Sequence, residues 1–244
     1  PVLSFLVLQF ASLRITLVLD AFSFFLAFGL VALLPKKEEK TLGEKKLTFK
    51  VICADIKEGV HYIVKQKEIF FLLVMASSVN FFFAAFNYLL PFSNQLYVVQ
   101  GAYATILTMG AIGSIVGALL ASKIKASMEM LLFLLALTGL GVMIMGFPLP
   151  SYLTFSGNFI CELFMTIFNI HFFTQVQTKV EGEYLGRVLS SIYTLAILFM
   201  PIATGLMTWL PSVHLYSFLI IGLGVVILSF LALGYVRTRF EKET

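Results

Sequence analysis

Seven long apolar runs, at about 15–34, 69–90, 102–121, 128–147, 151–176, 188–210 and 215–236, limit what this chain can become. Each is near the ~20 residues a helix needs to cross a bilayer. The segments between them alternate in charge. Every Lys and Arg except Arg14 lies in one alternate set: the stretch from Lys36 to Lys67, then Lys123 and Lys125, then Lys179 and Arg187, then Arg237, Arg239 and Lys242. The other set, 91–101, 148–150 and 211–214, holds none. Positive residues resist translocation, so the pattern predicts seven spans with the basic segments and the C-terminus on the cytoplasmic side.

The composition agrees: 59% of residues are hydrophobic, 12% are charged, and the mean hydropathy is +0.97. The expected fold class is all-α and polytopic, and lipid covers much of the apolar surface. The net charge of +4 is spread over membrane-flanking segments without a basic–aromatic patch, so no nucleic-acid partner is expected. Cys53 and Cys161 form no disulfide framework and read as free thiols. Residues 1–11 are apolar but about half a span long, and read as the outer half of a helix that begins upstream. The chain is therefore expected to be a fragment cut inside a transmembrane helix.

Segment 36–66 is the one long connection. Its first part, PKKEEKTLGEKK, reads as a polar linker. In its second part Phe49, Ile52, Cys53, Ile56, Val60, Ile63 and Val64 recur at helical spacing opposite Lys50, Lys57, Glu58 and Lys65. That pattern predicts an amphipathic helix at the membrane interface or packed under the bundle. Gly113 and Gly117, four apart, predict close helix packing, as do Gly139, Gly141, Gly146, Gly222 and Gly224. Pro201, with Gly205 after it, predicts a kink in span 188–210.

Polar side chains are costly in hydrocarbon, so they are the strongest functional signal here. Asn158, Glu162, Thr166 and Asn169 fall within about 80° on a helical wheel. Ser77, Asn80 and Asn87 share a face of span 69–90, with Phe83 beside it. Both stripes are expected to turn toward each other or toward a water-filled cavity. Interhelical gluing is the alternative. A carboxyl near mid-span favours a substrate or proton pathway for Glu162. Asp20 is a second intramembrane acid, with structural and functional roles both open. Arg187, next to Gly186, is expected to bridge carbonyls or a carboxylate near helix ends, with Glu181 and Glu183 as local candidates. No metal-ligand spacing, phosphate loop or nucleophile–base pair is present in the sequence, so no enzyme activity and no cofactor is expected.

Three segments carry a family resemblance: LVLDAFSFF (17–25), KEGVHYIVKQKEIFFLL (57–73) and QTKVEGEYLGRVLSS (177–191). They resemble the major facilitator superfamily, in its macrolide-efflux-like branch of drug:proton antiporters. The resemblance implies that the chain covers the end of helix 5, where Pro1 would close the antiporter motif, and helices 6–12. Residues 1–35 would then end the N-terminal bundle and 36–66 would be the linker. A C-terminal six-helix bundle would occupy 67–237, with a tail at 238–244. It implies a multi-pass protein of a bacterial plasma membrane, a proton gradient as energy source, a small-molecule substrate, and a missing N-terminal half as partner. Helices 7 and 10 line the cavity in this superfamily, and they carry the two stripes. One departure is that GALLASKIKAS, after helix 8, lacks the acid of the corresponding loop motif. Competing expectations are a siderophore or lipid exporter of the same fold, a seven-span receptor, and a non-transporting membrane scaffold.

Overall fold

The computed structural model describes residues 13–33, 49–125, 127–210 and 212–240. These residues form helices and connecting turns. The chain divides into two compact units, residues 1–52 and 53–244. The first contains helix α1 (Leu13–Ala32). The second contains most of α2 (Phe49–Lys65), then α3 (Lys67–Leu89), α4 (Ala102–Ala121), α5 (Met128–Met145), α6 (Ser151–Lys179), α7 (Gly182–Ile197), α8 (Met200–Trp209) and α9 (Tyr216–Phe240).

Among the described residues, seven segments are long and apolar enough to cross a membrane, and they coincide with the seven runs expected from the sequence. An α-helix satisfies its own backbone donors and acceptors, which lipid cannot do, so such runs become helices. After α3 the chain tightens into a 3₁₀ turn at Leu90–Phe92, started by Pro91, and a single helical turn at Ser93–Leu96. Helices α7 and α8 together form one spanning segment, Gly182–Trp209. It is broken at Leu198 and Phe199, and Pro201 stands in the first turn of α8. The break lies where a proline removes an N–H and its ring crowds the preceding turn, as the expected kink required.

Within residues 53–244, α4 packs on α6, α6 on α5, α5 on α9, and α9 on α3, which also packs on α7 and α8. Glycines mark the crossings. A Cβ on Gly117 would come 2.5 Å from the Leu163 carbonyl oxygen, and one on Gly141 would come 2.6 Å from the Gly157 carbonyl oxygen. Gly222 faces Gly139 in the α5–α9 crossing, where its Cβ would lie 2.5 Å from the Gly139 oxygen. The loop after α3 is tied down by Tyr97, whose hydroxyl donates to the Met145 carbonyl at 2.8 Å and whose ring stacks on Phe218.

Helix α2 forms as expected, but its packed face is rotated. Gly59 and Ile63 are buried, Ile56 and Val60 are half-buried, and Cys53 and Val64 are exposed. The reason is Gly59, which lets a neighbouring backbone approach on that side. The expected positions Phe49 and Ile52 have side chains outside the described residues, as do Pro1 and the linker's polar first part.

Backbone-to-backbone crossings cannot absorb added bulk. Gly141→Val should destabilise the protein by about 1–3 kcal/mol, the usual cost of overpacking. Gly205→Ala, with nothing within 4 Å of its Cβ position, should be neutral or slightly stabilising. Thermal unfolding in detergent measures both. Equal melting temperatures for the two variants would show that the Gly141 crossing is not this close.

Candidate functional site

Helices α4 and α6 both start from a Lys-free segment, so they run parallel. Gly113 and Gly117 place α4 against the Phe159 and Leu163 carbonyls. That register sets Gly110 and Ser114 opposite Asn158 and Glu162. Asn158 is 2% exposed, and its Nδ2 donates to the Ile106 carbonyl at 2.8 Å. Its Oδ1 is buried without a hydrogen-bond partner. Glu162 Oε2 accepts from Ser114 Oγ at 3.2 Å. A Cβ on Gly110 would run into the Asn158 amide and lie 3.1 Å from Glu162 Cγ, so glycine leaves room here for the asparagine first and the carboxyl arm second. Glu162 stands about 17 Å along α6 from Ser151 at 1.5 Å per residue, close to half of a ~30 Å hydrocarbon core. Thr166 and Asn169, on the same face, are half-buried.

The second stripe meets a different neighbour. Asn80 is half-buried, and its Nδ2 donates to the Ala196 carbonyl of α7 at 3.0 Å. Ser77 is buried and turns back onto its own helix, donating to the Leu73 carbonyl at 2.8 Å. Phe83 is buried edge-on against Phe86 with ring centroids 5.8 Å apart. Asn87 is exposed. One asparagine of each stripe is thus anchored on its own neighbouring helix: Asn158 on α4, Asn80 on α7.

The remaining candidates lie elsewhere. Asp20 is exposed on α1, and its backbone carbonyl accepts from Ser23 Oγ at 2.7 Å. Gly186 has nothing within 4 Å of its Cβ position, and Pro201 is exposed at the start of α8. Arg187 meets a carboxylate from outside its own helix, Glu58 of α2, with Nη1 and Oε1 3.0 Å apart. Glu181 and Glu183 precede Arg187 by less than two turns, and α2 brings Glu58 across from a distant part of the chain. Ser114 was not among the expected residues. It lies one turn beyond Gly110 on the small-residue stripe, and a hydroxyl four residues from a packing glycine is the signal that marks it.

The Major Facilitator Superfamily family model matches residues 1–196. This chain belongs to the major facilitator superfamily. No curated protein and no solved structure matches it. As a major facilitator chain it is a membrane transporter, set in a lipid bilayer and acting on a small-molecule substrate. Nested inverted repeats of three helices are a property of such bundles, and the packing fits one. Helices α3, α4 and α5 correspond to α6, α7–α8 and α9, and α3 packs on α7–α8 as α6 packs on α4. The anchored asparagines Asn80 and Asn158 occupy matching roles in the two repeats.

Interhelical hydrogen bonds in membranes contribute on average about 0.6 kcal/mol and at most about 1.7 kcal/mol. A double-mutant cycle of Ser114→Ala with Glu162→Ala should give a coupling energy in that range. The same cycle with Ser77→Ala should give none, because Ser77 bonds within α3. Thermal unfolding of the four variants in each cycle measures it, and equal coupling for the two serines would contradict the Ser114–Glu162 contact.

Proposed function

We propose that this transporter is a proton-coupled exporter of lipophilic, drug-like compounds such as macrolides. It would work by alternating access, with two bundles rocking about a midplane site. In this reading the chain supplies the end of helix 5 and helices 6–12, and the rest of the protein supplies the other bundle. The basic segments lie on the cytoplasmic side of the plasma membrane. The observation that carries the reading is the Glu162 carboxyl at mid-depth on α6, held by Ser114, one turn from the buried, half-satisfied Asn158. Support also comes from the three segments that resemble the macrolide-efflux-like branch.

The physical route is exchange at one carboxyl. Loss of water favours the neutral acid, and an approaching cation favours the carboxylate. Proton release and binding of a cationic compound can therefore alternate at Glu162. Asn158, Thr166 and Asn169 would contact the substrate from α6, and Asn80, Ser77, Asn87 and Phe83 from α3.

Glu162→Gln keeps the size of the side chain and an oxygen for Ser114 to donate to, but it cannot titrate. The variant should reach the membrane and lose most of its efflux of ethidium, a lipophilic cation, driven by an imposed pH gradient. The measurement uses the complete transporter in proteoliposomes at matched protein density. Wild-type efflux from Glu162→Gln would remove the coupling role and leave Glu162 as a hydrogen-bonding partner of α4.

A further inference from the structure

Helix α2 grips the first half of α7 through several independent contacts. Gly59 lies directly against the α7 backbone, where a Cβ would stand 2.6 Å from the Arg187 carbonyl oxygen. Ser191 Oγ lies 3.3 Å from the Ile56 carbonyl while also donating to the Arg187 carbonyl at 2.8 Å. The Tyr62 ring stacks on Tyr184 with centroids 5.0 Å apart, and its hydroxyl accepts from the Glu181 N–H at 3.4 Å. Glu58 pairs with Arg187 at 3.0 Å. Just beyond α2, Glu68 pairs with Lys179, so the turn from α6 into α7 is held from both sides.

These contacts differ in strength. The Arg187–Glu58 side chains are 39% and 48% exposed, and a pair this open contributes little. Ile63 is 1% exposed in the core, and the backbone approach at Gly59 brings α2 against α7 without any charge.

The far end of α7 presents the Ala196 carbonyl that anchors Asn80. Between the gripped turns and Ala196 the helix is unbroken, and its break comes after, at Leu198 and Phe199. A continuous helix carries a displacement of one end to the other. We infer that α2 is a clasp on α7. The two move as one body about the break before Pro201, and the seat of α2 sets the position of the carbonyl that holds Asn80. The amphipathic helix α2 is then a mechanical input to the stripe on α3.

Amide hydrogen exchange on the complete protein in lipid nanodiscs tests the clasp and needs no transported compound. Its failure is therefore separate from any failure of the Glu162 reading. Gly59→Val should raise exchange about tenfold or more in both 56–63 and 184–196, and leave 102–121 and 158–166 as in the wild type. Tyr62→Ala, which removes the ring stacked on Tyr184 and the hydroxyl that accepts from the Glu181 N–H, should raise the same two segments together. A rise confined to 56–63, or no rise in either segment, overturns the clasp.

Discussion

Lipid solvates an apolar side chain as well as another side chain does, so membrane helices gain little by burying such groups against each other. Association rests on van der Waals contact and on the few polar bonds that close approach permits. In residues 53–244 glycine supplies that approach. Gly117 meets the Leu163 carbonyl, Gly141 meets Gly157, and Gly222 meets Gly139. The polar chemistry depends on these crossings. Asn158 reaches a carbonyl of α4, and Ser114 reaches Glu162, because Gly110, Gly113 and Gly117 bring the two backbones together. The same device recurs outside the spans, where Gly59 seats α2 on α7.

The spans, the amphipathic helix and the break before Pro201 were legible in the sequence because each follows from a local rule. Apolar length fixes a span, 3.6-residue spacing fixes a packed stripe, and a proline interrupts a hydrogen-bond ladder. The stripe carrying Asn158 and Glu162 was legible for the same reason. Which helix it faces was not. Periodicity reports a direction away from lipid and carries no information about the neighbour found there. The pairing of Arg187 with Glu58, far apart in sequence, was hidden for that reason. The face of α2 was read from its apolar residues alone, and the glycine that decides the packing carries no hydrophobic signal.

The correspondence between the two repeats separates two roles that a polar stripe can play. Asn80 donates to a carbonyl of α7, and Asn158 donates to a carbonyl of α4. That shared feature is what gluing requires, since each bond ties a helix to its parallel neighbour. The chains then diverge. One turn after Asn158 stands Glu162, whereas one turn after Asn80 stands Ala84, a buried small apolar residue. The α3–α7 contact therefore holds without a carboxyl at the matching position. A carboxyl at mid-depth is costly to place there, and the repeat without it packs by the same asparagine device. Gluing thus accounts for Asn80 and Asn158, whereas the Ser114 bond alone is a small return for a carboxyl at that depth. That asymmetry supports a role for Glu162 in transport.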